Sequence, residues 1–155
     1  GATIVMDTSQ IGGVDSTKRY TRIVAEGAGS EVMITEKLMT HGDQTADSDV
    51  DIVLNGADSK ARVISRSVAK GNSRQVFHPN VEGNGPCFGH VQCDSIIMGN
   101  GKVQSIPAIT ANHVDASLIH EAAIGKIAGD QILKLQTLGF TAEEAEEKIL
   151  EGFLR

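Results

Sequence analysis

The chain of 155 residues has few large rings and few cysteines: it contains no Trp, one Tyr, four Phe and two Cys. Two cysteines do not make the disulfide framework of a small secreted protein, so a reducing compartment, the cytoplasm, is expected. Val, Ile, Ala, Ser and Thr must fill the core, a composition that favours thin stacked layers over one bulky centre. The scarcity of rings also argues against a carbohydrate-processing enzyme, which needs aromatic platforms.

An excess of positive charge and a long apolar run are also missing. The formal net charge is −6, which argues against binding nucleic acid or anionic lipid because both need a basic surface. No apolar run approaches the roughly 20 residues that span a bilayer, and no Walker A motif is present for ATP hydrolysis. We therefore expect no membrane segment, no nucleic-acid partner and no ATP hydrolysis by the chain itself. Because the chain begins at Gly1 without Met and stops abruptly at Arg155, it is expected to be a fragment of a longer protein.

The segment from residue 3 to residue 119 has a strand-like pattern. Short β-branched stretches are bounded by Gly, Asn or Asp, and a degenerate unit recurs, as in "VAEGAGSEV" (24–32) and "VLNGADSKARV" (53–63). Repeated strand–turn units are typical of a β-solenoid, in which each turn buries its inner face on the next. An ordinary meandering sandwich is equally compatible with the pattern alone.

Two rows of charge follow each other along this β region. The acidic row and the basic row each share one face of an extended chain, and we predict that they pair across neighbouring strands. The rows are Asp43, Asp47, Asp49 and Asp51, and Lys60, Arg62, Arg66 and Lys70.

From residue 120 to residue 155 we predict a junction followed by a small helical hairpin. The apolar spacing over 129–139 is helical and ends at Gly139, a natural C-cap. Thr141 with Glu144 predicts a capping box for a second helix. A helix–turn–helix can bind DNA, but the second helix is rich in Glu and would be repelled by phosphate, so a docking or packing role is favoured.

Both cysteines lie in "GPCFGHVQCDSIIMGNG" (85–101). Strand alternation places Cys93 on the same face as apolar Val91, so a small buried side chain is one interpretation. Cys87 follows a Gly-Pro turn and is predicted to be the more exposed thiol. A disulfide between them is unfavourable because an extended strand separates them, and no further ligands are spaced for a zinc finger.

A second cluster, His120-Glu121, closes the predicted β region. Together with Cys93 these residues offer a thiolate, an imidazole and a carboxylate, which suit a mixed-ligand iron or zinc site. A purely structural His at an element boundary is the alternative.

Four motifs follow one another in a fixed order between residues 92 and 140. It reads "QCDSIIMG" (92–99), "IPAI" (106–109), "HEAAIGKI" (120–127) and "DQILKLQTLGF" (130–140). The series resembles the carboxyl-terminal part of SufB and SufD, the paired scaffold proteins of SUF iron–sulfur cluster assembly. The match runs from about Asp43 to the end of the chain, and the order of the motifs is more specific than any one of them.

The resemblance implies a right-handed parallel β-helix followed by a small helical domain that docks a SufC-type ABC ATPase. It also implies pairing with a SufB/SufD-type partner, or with itself as a homodimer. Cys93 falls on the Cys that SufB uses for the nascent cluster, and His120 on a His shared by SufB and SufD. Glu121 matches the acidic neighbour typical of SufB, so the chain is SufB-like.

The implied function is a scaffold that holds a transient iron–sulfur cluster on Cys93, His120 and Glu121. The alternative is a β-solenoid adaptor that dimerises and binds an ATPase without carrying a cluster. Two departures from SufB concern the site. Ile119 stands where SufB often has Glu, and no Cys occurs near Arg22, where SufB has a further Cys thought to receive sulfur.

Overall fold

Ten β-strands and then two α-helices follow one another in the computed structural model, which describes residues 1–155. The first five strands are β1 (Thr3–Gln10), β2 (Ser16–Ala25), β3 (Glu31–Thr40), β4 (Thr45–Leu54) and β5 (Ser59–Ala69). The next five are β6 (Arg74–Gly83), β7 (Cys87–Ile97), β8 (Lys102–Ser105), β9 (Ala108–Ala111) and β10 (Ala116–Gly125). The helices are α1 (Gly129–Thr137) and α2 (Ala142–Leu154).

Successive strands alternate between two sheets. One sheet has the order β1-β3-β5-β7-β10, and the other has the order β2-β4-β6-β8, with β9 also pairing with β6. Every pairing is parallel. The chain thus winds through about four turns of a parallel β-solenoid before it enters the helices. This confirms the predicted fold and excludes the meandering sandwich.

Asparagine side chains stack between successive rungs at both sets of turns of the solenoid. Asn84 donates to the Asn55 side chain at 2.8 Å, and Asn112 donates to the Asn84 side chain at 2.7 Å, over sequence separations of 29 and 28 residues. At the other turn, Asn100 donates to Asn72. These ladders satisfy side-chain amides between successive rungs and fix the repeat length.

The solenoid interior divides into an apolar half and a polar half. In the apolar half, Ile34 and Val63 stack in register with Val91. In the polar half, Glu36 and Ser65 stack in register with Cys93, and all three are buried. Side chains alternate between the two faces of a strand. The apolar stack and the polar stack therefore come from inward positions two residues apart on each strand.

The predicted pairing of the acidic row with the basic row is wrong. Asp51 on β4 lies beside β2 and forms an ion pair with Arg22, whereas Arg62 lies on β5 in the other sheet. In a two-sheet solenoid, consecutive strands belong to different sheets. The neighbour of a strand is therefore two strands away along the chain.

The last strand continues past the predicted boundary at Ile119 and ends at Gly125. The division of the chain at residue 119 into two domains stays a prediction. Helix α2 begins with the predicted capping box between Thr141 and Glu144, and Gly139 has a φ of +100°, which favours glycine after α1. Helix α2 packs against β5.

Neither helix of the structure is long and apolar enough to cross a membrane.

Candidate functional site

Cys93 lies in the middle of β7 with its side chain in the solenoid interior. Its position is 1% exposed, and its strand neighbours in register are Ser65 on β5 and Ala122 on β10. The strand phase predicted from alternation is confirmed, because Val91 and Ser95 are buried on the same face. The side chain meets apolar residues on one side and hydroxyls on the other.

Burial is the main influence on the Cys93 thiol and raises its pKa above the usual value for cysteine. The hydroxyls of Ser105 and Ser95 lower the pKa in part, while the negative charges of Asp94 and Glu36 raise it. The thiol is therefore the resting form of the apo-protein. A bound cation would favour the thiolate, because thiolates are the form that ligates metals.

His120 lies near the middle of β10, in register with the inward-facing Val91. It is thus a diagonal neighbour of Cys93 on the same inner face. Its Nε2 atom is buried and has no hydrogen-bond partner. Loss of solvation, and secondarily the charge of His90, lowers the pKa of His120. A neutral imidazole with an uncommitted nitrogen is the form of histidine that binds metals.

Glu121 points the other way. Its side chain is 63% exposed on the outer face, where its Oε2 lies 3.3 Å from the Nε2 of His90. The structure therefore places Cys93 and His120 on the same inner face and Glu121 on the opposite side of the strand. No group of three or more His, Cys, Asp or Glu side chains is arranged to hold a metal ion.

Cys87 is the more exposed of the two thiols, as predicted, but it lies in a strand and not in the Gly-Pro turn, and it is buried. Cys87 is the first residue of β7 and only 7% exposed. It is in register with Ser59 and Ala116, and its Sγ lies 2.7 Å from the position that a Cβ on Gly83 would take. The strand begins one residue after the Gly-Pro turn and immediately turns this side chain inward. Both cysteines are free thiols.

Sequence reasoning missed a buried carboxylate two strands from Cys93. Glu36 on β3 is 3% exposed, forms an ion pair with Arg19 and accepts a hydrogen bond from Ser48 Oγ at 2.8 Å. Buried charges are normally paired in this way. The signal was present, because Glu36 occupies an inward position in the alternating run 32–38.

Comparison with known proteins gives one family and several relatives. Residues 2–153 match the family model described as "SUF system FeS cluster assembly, SufBD core domain". An iron–sulfur cluster assembly SufBD family protein of Methanothermobacter thermautotrophicus is 29% identical over 143 residues, which cover 91% of this chain and 35% of the relative.

Two further relatives come from other organisms. A SufBD family protein of Methanocaldococcus jannaschii is 36% identical over 104 residues, covering 66% of this chain and 33% of the relative. A chloroplastic SufBD family protein of Arabidopsis thaliana is 29% identical over 143 residues, covering 90% of this chain and 26% of the relative. The chain thus spans about a third of the length of the curated relatives that it matches.

Proposed function

The chain belongs to the SufBD family of iron–sulfur cluster assembly proteins, and from this membership we propose that it forms part of a SufB-like scaffold for a nascent cluster. Iron and sulfide are the cargo of such a scaffold. The chain acts by holding them, not by catalysing a reaction. The parts of a full-length relative that lie outside this chain would supply further functions.

One observation supports this proposal most directly: the Cys93 sulfur and the buried, unpartnered His120 Nε2 share one inner face. A thiolate is the soft ligand that iron–sulfur clusters need, and an imidazole can serve as a weaker second ligand. With two protein ligands, the remaining coordination positions of the iron are open to sulfide, solvent or another subunit. Incomplete ligation suits a site that must release its cargo. Ligation by Glu121 stays a prediction, and it would require this side chain to leave His90.

Two surfaces support the proposed partners. Helix α1 and the turn after it expose Leu133, Leu138 and Phe140, an apolar surface suited to docking a SufC-type ATPase. The free edge of β10 is suited to pairing with a SufB/SufD-type partner or with a second copy of the chain. Two reduced thiols fit a reducing compartment, for which we propose the cytoplasm.

A cluster-free adaptor is the second candidate, and it is favoured by the lack of any preformed group of three ligands. Such a protein would pair through β10 and dock the ATPase without binding iron.

Anaerobic titration with ferrous iron and sulfide, followed by visible absorbance, separates the two candidates. We expect the unchanged chain to develop cluster absorbance and Cys93→Ser to lose it. Cys87→Ser is the matched control, because Cys87 is also a buried thiol on β7. Far-ultraviolet circular dichroism must be the same for all three proteins. A Cys93→Ser protein that binds a full cluster would overturn the scaffold proposal and favour the adaptor.

A further inference from the structure

An imidazole and a carboxylate face each other on the outside of the sheet whose inner face holds Cys93. His90 lies on β7 and Glu121 lies on the adjacent parallel strand β10, with 3.3 Å between the His90 Nε2 and the Glu121 Oε2. Side chains alternate along a strand, so His90 points away from the face of Cys93. The outer pair is therefore separate from the interior site.

The spacing of the two atoms suits two ligands of one metal ion. Nitrogen and oxygen ligands lie about 2.0–2.2 Å from a zinc ion, so two ligands at the tetrahedral angle are about 3.4 Å apart. The 3.3 Å between the His90 and Glu121 atoms is close to this value. On the other sheet, His78 Nδ1 lies only 2.8 Å from Asp49 Oδ1, which is a direct contact between the partners.

Gln92 supplies a third donor beside this pair. It is in register with Glu121, two residues after His90 on the same outer face. Its Nε2 donates to the Asp94 Oδ2 at 2.7 Å, so the amide nitrogen is committed and the carbonyl oxygen is the end left for another contact. Amide oxygens are metal ligands in proteins. Two ionisable side chains and one amide thus converge on the outer face.

The surroundings allow an ion to enter from solvent. The Glu121 side chain is 63% exposed and that of His90 is 20% exposed. The nearest cationic residue in register with His90 is Arg62, but it lies on β5, on the side of β7 away from β10. Water would complete the coordination of an ion held at this open surface.

We propose that His90 and Glu121 bind one divalent transition cation, such as ferrous iron or zinc, with Gln92 as the third donor. Imidazole suits these ions, and the carboxylate offsets their charge. Binding requires Nε2 without a hydrogen, so the neutral ring carries its hydrogen on Nδ1. The site has no thiolate and holds a single ion. The inference goes beyond the proposed scaffold function, because it uses neither Cys93 nor His120.

Titration with cobalt(II) tests this site, because the visible spectrum of this ion reports whether a thiolate is among its ligands. Calorimetry measures the affinity in the same samples. We expect the unchanged chain to bind one ion without a thiolate band. His90→Gln and Glu121→Gln should each weaken binding at least about tenfold. His78→Gln is the matched control, and it should bind as the unchanged chain does, as should Cys93→Ser.

The outcomes separate this inference from the proposed function. Unchanged affinity in both His90→Gln and Glu121→Gln would overturn the outer site and leave the scaffold function standing. A thiolate band that disappears in Cys93→Ser would place the ion in the interior and also overturn it. Equal losses in His78→Gln and His90→Gln would do the same. If the unchanged chain forms no cluster with iron and sulfide but binds cobalt(II) through His90 and Glu121, the scaffold function is overturned and the outer site is supported.

Discussion

Glu121 pairs with His90 on the outer face of the solenoid, with 3.3 Å between the Glu121 Oε2 and the His90 Nε2. The residue before it, His120, has its Nε2 buried in the interior. Neighbours along a strand point to opposite faces, so this dipeptide divides between two environments. Only its first member lies on the side of Cys93.

This division predicts different effects for two adjacent substitutions. We expect Glu121→Gln to bind nearly as much cluster as the unchanged chain, because Gln can still hydrogen-bond to His90. We expect His120→Ala to bind less, since it removes the inward nitrogen. Visible absorbance per protein after anaerobic reconstitution measures both. A larger loss in Glu121→Gln than in His120→Ala would show that the carboxylate is a ligand.

The two buried thiols should differ in reactivity toward an alkylating agent. Cys87 is 7% exposed and borders a surface pocket with Lys60 and Asp115, whereas Cys93 is 1% exposed. Burial raises the pKa of both thiols, so access decides the order. We expect Cys87 to label faster in the folded apo-protein, as mass spectrometry of timed samples would show. In denaturant the rates should become similar. Faster labelling of Cys93 in the folded protein would contradict the placement of these side chains.

Gly89 on β7 should be sensitive to a single added methyl group. A Cβ there would lie 2.8 Å from Leu118 Cδ2 and 3.1 Å from Val81 Cγ1. Overpacking typically costs about 1–3 kcal/mol, and the methyl of Leu118 can move, so we expect Gly89→Ala to lose about 1 kcal/mol of unfolding free energy. Gly125→Ala is the control, because no atom lies within 4 Å of its Cβ position. Urea denaturation measures both. Equal midpoints would contradict the close packing.

The inward orientation of Cys93 could be predicted from the sequence because strand alternation is a local property of the chain. The capping box of Thr141 and Glu144 could be predicted for the same reason, since both partners lie within one helical turn. The burial of Cys87 could not be predicted in this way, because it depends on Gly83 of the preceding strand, which leaves room for the sulfur. The local sequence pattern predicts which side chains of a strand face inward, but not which residues of other strands they contact.

To predict which strands lie side by side, one must know the length of the repeat. Asn55, Asn84 and Asn112 recur at separations of 29 and 28 residues, and this spacing was readable in the sequence. With it, Asp51 would have been assigned beside Arg22. The orientation of Glu121 followed from alternation once β10 was known to continue past Ile119. Its hydrogen bond to His90 needed the register of β10 on β7 as well.

His120 should make the apo-protein less stable in mild acid. Loss of solvation lowers its pKa below the value in the unfolded chain, so the unfolded state binds the proton more readily. The stability contribution is present above the unfolded pKa of about 6.5 and is lost as the pH falls toward the folded pKa. We expect the urea midpoint to fall between pH 7 and pH 5. The fall should be smaller in His120→Gln, which cannot be protonated, and an equal fall in both proteins would contradict the assignment.

The free edge of β10 predicts self-association. This strand pairs only with β7 in its sheet, and it exposes Ile119 and Ile124. An unpaired, apolar strand edge is a template for pairing with a second chain. We expect dimers in sedimentation experiments at concentrations on the order of tens of micromolar, a scale typical of modest interfaces. Ile124→Lys should shift the chain to monomer, because a charge at this edge opposes strand pairing. Val5→Lys on β1, at the opposite end of the same sheet, is the matched control and should leave the dimer intact. A monomer at these concentrations, or dissociation by Val5→Lys alone, would exclude the β10 edge as the interface.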